Sequence, residues 1–141
     1  MTHTYPYPRP AVTVDAILIS KQNSVLLIER GREPFKSKWA LPGGFIDMNE
    51  ELETACHREL EEETGIRVGE LKQFKAYGGV NRDPRHRTIS VIFYAFTEEE
   101  LTACASDDAA NAQWFSLSQL PEMAFDHLQI LEEFKMEVMK S

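Results

Sequence analysis

Three glutamates of one predicted helix lie on or beside its apolar face. The apolar pattern predicts a helix over residues 49–64. With Leu52 at zero and about 100° per residue, Glu59 falls at about −20° and Glu63 at about +20°, in the middle of that face. Glu62 follows at about −80°. Closely spaced carboxylates that are partly buried repel one another and lose hydration, unless cations lie between them. The helix therefore predicts a cation site rather than a solvated acidic face.

Carboxylate oxygens at this spacing suit Mg²⁺, for which Mn²⁺ can substitute. Mg²⁺ takes one or two protein carboxylates and completes its shell with water and phosphate oxygens. The chain has 15 Lys and Arg against 23 Asp and Glu, a net charge of −8, which repels nucleic acids and anionic lipids. A bound cation would let this acidic protein hold a diphosphate. Pro42, Gly43 and Gly44, just before the helix, allow close backbone approach and expose a carbonyl as another candidate ligand, although such runs also form ordinary turns.

The other elements that the pattern predicts would place this helix against a mixed sheet. Residues 11–20 and 24–30 predict a β-hairpin, and residues 87–96 predict a strand. The acidic helix is predicted to have Asn49 as its N-cap and Gly65 as its stop. The remaining predictions are a short strand at 39–41, a break at 42–44, one or two strands within 66–77, loops at 31–38, 78–85 and 97–112, a short strand at 113–117, and a helix at 123–140 with Leu128, Leu131, Phe134 and Val138 inward. Strands interrupted by two helices indicate an α/β fold with helices on the faces of the sheet.

Composition bounds the class of protein. At 141 residues, with 43% apolar and 27% charged residues, the chain predicts one soluble domain, 1–141, with a proline-rich arm at 1–10. Cys56 and Cys104 form neither a disulfide framework nor a metal-binding pair, which is typical of the reducing cytoplasm. No apolar run approaches the roughly 18 residues of a membrane span, and the first residues do not resemble a signal peptide. We therefore expect a cytoplasmic protein with no membrane partner.

The acidic helix and the loop before it resemble the Nudix box. The pattern consists of Gly44, five residues, Glu50, seven residues, Arg58, Glu59, Leu60, one residue, Glu62, Glu63, one residue, Gly65 and Ile66. All nine specified positions match across 23 residues. The resemblance to the Nudix hydrolases implies an α/β/α sandwich with a central mixed sheet and a loop-helix-loop box. It also implies Mg²⁺-dependent hydrolysis of a nucleoside diphosphate linked to another group.

The resemblance also implies roles for the residues of the box. Glu59 and Glu63 match the main metal ligands, Glu62 a further ligand, and the carbonyl of Gly43 the backbone ligand. Arg58 matches a residue that pairs with Glu50 and holds the helix and its carboxylates in place. The general base is expected from Glu62 or from the loop that carries Asp107 and Asp108. The implied catalytic set is Glu59, Glu62, Glu63, Arg58 and Asp108.

Flanking stretches resemble the small microbial ADP-ribose pyrophosphatase branch of that superfamily. They are residues 39–45, 81–85 and 124–127, which have the sequences Trp-Ala-Leu-Pro-Gly-Gly-Phe, Asn-Arg-Asp-Pro-Arg and Ala-Phe-Asp-His, together with Asp107, Asp108, Ala109 and Trp114. The resemblance implies ADP-ribose as substrate, with AMP and ribose 5-phosphate as products. Dimers are common in this branch, and the proline-rich arm suits exchange between subunits of a homodimer.

Candidate substrate contacts are spread over several segments. Arginine can pair with phosphate through two hydrogen bonds, although each of these side chains also suits a surface charge. His127 beside Asp126 suits either a substrate contact or a helix cap. The candidates are Arg30, Arg82, Arg85, Gly44 and His127, with Arg32 as a further arginine and Phe35, Trp39, Tyr77 and Phe125 as rings that either stack on adenine or belong to the core.

Three alternatives to an ADP-ribose pyrophosphatase remain. A Nudix hydrolase for damaged nucleoside triphosphates or sugar nucleotides would share the metal site and differ in its pocket. A non-catalytic ADP-ribose sensor would resemble the Nudix part of transcriptional regulators that share some flanking stretches. The intact box and the absence of a basic DNA-binding helix after the last predicted helix favour an enzyme. A purely structural acidic domain is disfavoured by the inward glutamates.

Overall fold

The fold begins with the predicted β-hairpin. The computed structural model describes residues 6–106 and 109–139. Strands β1 (Ala11–Ser20) and β2 (Ser24–Arg30) pair in antiparallel fashion, with Ile19 opposite Val25. Asn23 closes the turn with a φ of 59°, a left-handed conformation that asparagine tolerates. Both strands have the predicted bounds.

The remaining elements complete one mixed sheet with helices on its two faces. They are β3 (Trp39–Ala40), β4 (Gly43–Phe45), α1 (Leu52–Thr64), β5 (Lys72–Tyr77), β6 (Thr88–Thr97), β7 (Ala109–Ser116) and α2 (His127–Glu137). In the described residues the main sheet order is β3-β2-β1-β6-β5, with β4 on β1 and β7 on β2. Strands β1 and β6 are parallel, whereas the other pairs are antiparallel. The α/β fold is confirmed.

Successive side chains of β1 alternate between two buried clusters, one packed against α1 and the other against α2. Val14, Ala16 and Leu18 belong to a buried cluster that includes the apolar residues of α1, whereas Ile17 and Ile19 belong to a cluster that includes those of α2. Successive strand residues point to opposite faces of a sheet. The central strand therefore anchors both layers, and it fixes α1 against one face.

The sheet opens between β1 and β2. The first half of β1 pairs with β4, from Thr13 opposite Phe45 to Asp15 opposite Gly43. Strand β1 pairs with β2 through Ile19 and Val25, at the end near their turn. This divergence leaves room for a cavity, which is bordered by β1, β2 and β4.

Two strand predictions were wrong. Residues 42–44 were expected to break regular structure, yet Gly43 and Gly44 begin β4, because β1 offers backbone partners to a segment without side chains. A β-carbon on Gly43 would lie 2.2 Å from the carbonyl oxygen of Val14. Strand β7 begins at Ala109 rather than residue 113, because it pairs along the length of β2. Tertiary pairing outweighs the weak local signal in both cases.

Both helices begin later than predicted. Helix α1 begins at Leu52, since Glu51 is extended with ψ at 156° and is the N-cap in place of Asn49, while Gly65 ends the helix in a left-handed conformation as expected. Helix α2 begins at His127 because Phe125 has a φ of 53°, which a helix cannot contain. Leu128, expected inward, is exposed. No helix in the described ranges has the length and apolar character needed to cross a membrane.

Candidate active site

A cavity of about 440 Å³ lies where β1 and β2 diverge. One part of its lining consists of the carboxylates Asp15, Glu59 and Glu63 beside the Gly43–Gly44 backbone. Another part is basic and aromatic. This second group contains Arg30, Arg32, Arg82, Arg85, Phe125 and His127. The cavity thus combines groups that hold cations with groups that hold phosphates and rings.

The glycines of β4 bring two predicted ligands of α1 to the same place. The N–H of Gly43 donates to Glu63 Oε1 at 2.8 Å. A β-carbon on Gly44 would lie only 2.5 Å from Glu59 Oε2, so a larger residue would displace that carboxylate. Glu62 is absent from the cavity lining, and 46% of its side chain is exposed. The helical wheel placed Glu59 and Glu63 in the middle of the apolar face and Glu62 at its side, and the first two residues line the cavity.

Arg58 holds the acidic helix to the preceding loop. Its Nη2 lies 2.6 Å from Glu50 Oε1, and its Nη1 lies 2.8 Å from Glu59 Oε1 and 3.3 Å from Glu62 Oε2. The same guanidinium donates to the carbonyl oxygen of Phe45 at 3.2 Å. Arg58 is absent from the cavity lining. Arg58 thus contacts the carboxylates of Glu50, Glu59 and Glu62 from outside the cavity.

The donor set fits a divalent cation. Burial raises the pKa of Glu59, and burial together with the charges of Glu59 and Asp15 raises the pKa of Glu63 to about 8. Within the described residues, no three His, Cys, Asp or Glu side chains already surround a common point. Glu59 and Glu63 each use Oε1 in the hydrogen bonds above, and no described donor reaches Oε2 of either residue. These hard oxygens are the type that Mg²⁺ prefers.

Asp15 is a cavity residue that the sequence analysis missed. It lies in the middle of β1 and is 6% exposed. Burial raises its pKa to about 7, although the charge of Arg82 opposes the shift. An acidic residue between the apolar residues Val14 and Ala16 of a buried strand was the available signal, since acidic side chains are rarely buried.

Arg30 and Arg85 both reach the ring of Phe125. The guanidinium of Arg30 lies 4.9 Å from the ring centroid, and its Nε donates to the carbonyl oxygen of Pro34 at 2.7 Å. The guanidinium of Arg85 lies 5.5 Å from the centroid of the Phe125 ring and 5.4 Å from the centroid of the Phe45 ring. The cavity therefore has a cationic and aromatic region suited to phosphates and a planar base.

Arg82 forms part of the cavity wall through a buried ion pair. Its Nη2 lies 2.7 Å from Asp126 Oδ1, and its Nε donates to Asp126 Oδ2 at 2.9 Å. Its Nη1 donates to Ser90 Oγ at 2.7 Å. Only 6% of the side chain is exposed. This predicted substrate contact is brought to the cavity, but its donors are already engaged within the protein.

His127 fixes the segment that leads into β4. Its Nδ1 accepts the N–H of Leu41 at 3.0 Å, two residues before Gly43. Burial lowers its pKa to about 4, so the ring is neutral at pH 7. His127 is the first residue of α2 rather than its cap, which is Asp126.

We expect the substitution His127→Asn to remove one source of acid destabilisation. The unfolded chain binds a proton at a pKa of about 6.5 and the folded chain at about 4, so the wild type loses stability as the pH falls through this window. Asn Oδ1 can still accept the N–H of Leu41. The measurement is the free energy of unfolding in urea, compared between the variant and the wild type at each pH. The comparison cancels the contributions of Asp15 and Glu63, whose raised pKa values affect both proteins in the same pH range. The wild type should weaken relative to the variant on acidification, and a constant difference would contradict this role.

Other predicted residues lie elsewhere. Trp39 packs edge-on against Phe115 at 4.7 Å, and the hydroxyl of Tyr77 donates to Glu133 at 2.7 Å. Both rings belong to the cluster that packs against α2, away from the cavity lining. Phe35 supports Phe125 at 4.8 Å. The predicted base Asp108 and its neighbour Asp107 lie outside the described residues.

Comparison with known proteins shows the family. The NUDIX domain family matches residues 9–134. The chain therefore belongs to the Nudix family, and the resemblance found in its sequence is confirmed.

Three individual proteins are similar to this chain over most of its length. The chain is 43% identical over 129 residues to an ADP-ribose pyrophosphatase of Methanocaldococcus jannaschii, covering 91% of this chain and 75% of that protein. It is 36% identical to the ADPR responsive transcriptional repressor NtrR of Acinetobacter baylyi, covering 90% of this chain but 54% of the repressor. Among solved structures, the NUDIX domain of Shewanella oneidensis NrtR complexed with ADP ribose has a TM-score of 0.88 and 30% identity, covering 96% of this chain and 94% of that chain.

Proposed function

We propose that this protein hydrolyses ADP-ribose in a Mg²⁺-dependent reaction, ADP-ribose and water giving AMP and ribose 5-phosphate. The observation that carries the proposal is the cavity itself, which joins the carboxylates of the Nudix box to arginines and Phe125. The identity of 43% to a relative named ADP-ribose pyrophosphatase supports this substrate. The solved NrtR domain complexed with ADP ribose supports the same ligand.

Glu59 and Glu63 would hold Mg²⁺, or Mn²⁺ in its place, with help from Glu62 and the carbonyl of Gly43. Bound divalent ions lower the pKa of water and stabilise negative charge on phosphate oxygens. Arg58 keeps Glu59 and Glu62 in position through the hydrogen bonds described above. Side chains that hydrogen-bond to metal ligands fix the direction of the ligand oxygens.

The rest of the cavity would bind and orient the nucleotide. Arg30 and Arg85 are suited to the phosphates or the terminal ribose, and the ring of Phe125, which both guanidinium groups contact, to a planar base. Gly44 would present its backbone to the pyrophosphate, and its missing side chain leaves room for the Glu59 carboxylate. His127 and Arg82 hold the wall against which the substrate would rest.

The proton of the attacking water would go to a carboxylate. Glu62 is the proposed base from α1, and Asp108, which precedes β7 in the sequence, is the proposed alternative base. Glu62 is exposed and held by Arg58, so it has access to water beside the metal ligands. Variants of these two residues distinguish the alternatives.

A sensor of ADP-ribose is the second candidate. The likeness to the repressor NtrR at 36% identity and to the ADP-ribose complex of NrtR favours it. Binding would use the same cavity, and cleavage would not follow. The complete set of Glu59, Glu62 and Glu63 supports the enzyme over the sensor.

Location and assembly complete the proposal. We propose a cytoplasmic homodimer without a nucleic-acid partner. Free thiols at Cys56 and Cys104 are compatible with a reducing compartment. The net charge of −8 disfavours binding to nucleic acid. Light scattering in solution tests the dimer.

A substrate panel tests the proposed activity. Initial rates are measured at one Mg²⁺ concentration for ADP-ribose, NADH, a sugar nucleotide and several nucleoside triphosphates. We expect ADP-ribose to be cleaved fastest, with AMP as a product. Faster cleavage of another compound would assign a different Nudix substrate. Tight binding of ADP-ribose without cleavage of any compound would assign the sensor.

A further inference from the structure

The loop between β6 and β7 packs against α1 and the adjoining strands. Leu101 and Ala103 are half-buried and pack against the core cluster that contains the apolar residues of α1. Trp114 Nε1 donates to the carbonyl oxygen of Leu101 at 2.8 Å, and Ser24 Oγ donates to Glu100 Oε2 at 2.6 Å. The described part of this loop is therefore held at several points, although it contains no helix or strand.

The end of this loop supplies hydrogen-bond donors to the last turn of α1. An α-helix leaves the carbonyl oxygens of its last four residues without partners inside the helix. The N–H of Cys104 donates to the carbonyl oxygen of Thr64 at 2.9 Å, and the N–H of Ser106 donates to that of Glu63 at 3.3 Å. The hydroxyl of Ser106 donates to the carbonyl oxygen of Glu62. Three consecutive carbonyls are thus held by a segment that is distant in sequence.

The residues that end α1 bond to earlier carbonyls of the helix. The N–H of Gly65 donates to the carbonyl oxygen of Glu61 at 2.8 Å, and Thr64 Oγ1 donates to that of Leu60 at 2.6 Å. Within the described ranges, no donor other than Ser106 reaches the carbonyl oxygens of Glu62 and Glu63. The backbone of these two glutamates therefore depends on the loop.

The turn that Ser106 holds is the one that carries Glu63. Helix ends fray, and Glu63 is the residue before Thr64, with which α1 ends. Glu63 Oε1 also accepts the N–H of Gly43 at 2.8 Å, so its carboxylate has to stay aligned with β4. A loosened last turn would let this carboxylate leave its place at the cavity more often.

We propose that Ser106 is a positioning residue for the cation site, acting through the backbone of Glu62 and Glu63. The inference rests on the proposed function for the assignment of Glu63 as a metal ligand. Ser106 itself lies outside the Nudix box and is absent from the cavity lining. Its hydroxyl keeps the last turn of α1 closed, and the closed turn keeps the Glu63 carboxylate ready for a divalent ion.

Mn²⁺ binding in the absence of nucleotide tests this role. Electron paramagnetic resonance follows the free ion in the metal-free wild type, Ser106→Ala and Ser106→Thr. We expect Ser106→Ala to bind Mn²⁺ about threefold more weakly, the scale for the loss of one solvent-exposed hydrogen bond. Ser106→Thr should bind as the wild type does, because it keeps the hydroxyl. A merely structural bond would lower the unfolding free energy and leave the affinity of the folded protein unchanged.

Ser118→Ala is the matched control, since Ser118 is exposed and shares its hydroxyl hydrogen bond of 2.9 Å with Ser116. Its Mn²⁺ affinity should equal that of the wild type. Wild-type affinity in Ser106→Ala, or an equal loss in Ser106→Thr or Ser118→Ala, would overturn the proposal.

Circular dichroism establishes that each variant is folded. Ser106 is exposed, so its variants should fold. If Ser106→Ala does not, Ser106→Gly gives the same comparison with the same expected loss. Cleavage of ADP-ribose by the wild type together with undiminished Mn²⁺ binding by folded Ser106→Ala would reject the inference alone. Weaker Mn²⁺ binding by Ser106→Ala, with no cleavage by the wild type, would reject the proposed hydrolase alone.

Discussion

Replacing Glu63 by Gln should lower kcat for ADP-ribose by about three orders of magnitude. A bound cation contributes several kcal/mol to charge stabilisation, and each 1.4 kcal/mol or so is a factor of ten in rate. Gln keeps the volume and an Oε1 that accepts the N–H of Gly43. The variant should therefore fold, and loss of the buried charge should leave the metal-free protein at least as stable as the wild type.

Glu61→Gln is the matched control for Glu63. Glu61 lies on the same helix, is exposed, and pairs with Arg67 at 2.6 Å. The kcat of the Glu61→Gln protein should equal that of the wild type. Steady-state kinetics on both variants, with circular dichroism as the check on folding, gives the comparison. A folded Glu63→Gln protein with wild-type kcat would remove Glu63 from the proposed metal ligands.

Arg82→Met should lower the unfolding free energy by about 3 kcal/mol, the scale for removing one partner of a buried ion pair. The variant leaves Asp126 without its bidentate partner and Ser90 without its donor. Because this pair joins the loop before β6 to the start of α2, the cavity wall would loosen with it. Urea unfolding monitored by circular dichroism provides the measurement.

Arg67→Met is the control, because it shows how much the loss of an exposed ion pair lowers the unfolding free energy. Arg67 contacts Glu61 at the surface, where ion pairs contribute less than about 1 kcal/mol. The double variant Arg82→Met with Asp126→Asn should recover part of the loss, since no carboxylate is left uncompensated. Equal effects of Arg82→Met and Arg67→Met would contradict a stabilising role for the buried ion pair of Arg82.

Local signals explain what the sequence predicted. The bounds of β1 and β2 followed from two apolar runs separated by a polar turn. Gly65 was expected to end α1, and it does so because glycine adopts the left-handed conformation at low cost. The helical period placed Glu59 and Glu63 near the apolar face, which is why both reach the cavity.

Long-range contacts explain what the sequence did not predict. Strand β4 exists because β1 pairs with two glycines, and the start of α2 depends on the left-handed backbone of Phe125. Asp15 was not predicted as a cavity residue, and its place beside Gly43 follows from the pairing register of β1 and β4. Arg82 suited a phosphate contact equally well until its partner Asp126 was located. Each of these facts depends on residues distant in sequence.

Release of AMP from ADP-ribose, with and without Mg²⁺, tests the central claim most directly. The wild-type protein is first freed of metal by dialysis against a chelator, and products are separated by chromatography. We predict equal amounts of AMP and ribose 5-phosphate when Mg²⁺ is added and almost none before. No cleavage by folded protein that binds Mn²⁺, or the same rate without any divalent ion, would contradict the proposed hydrolase.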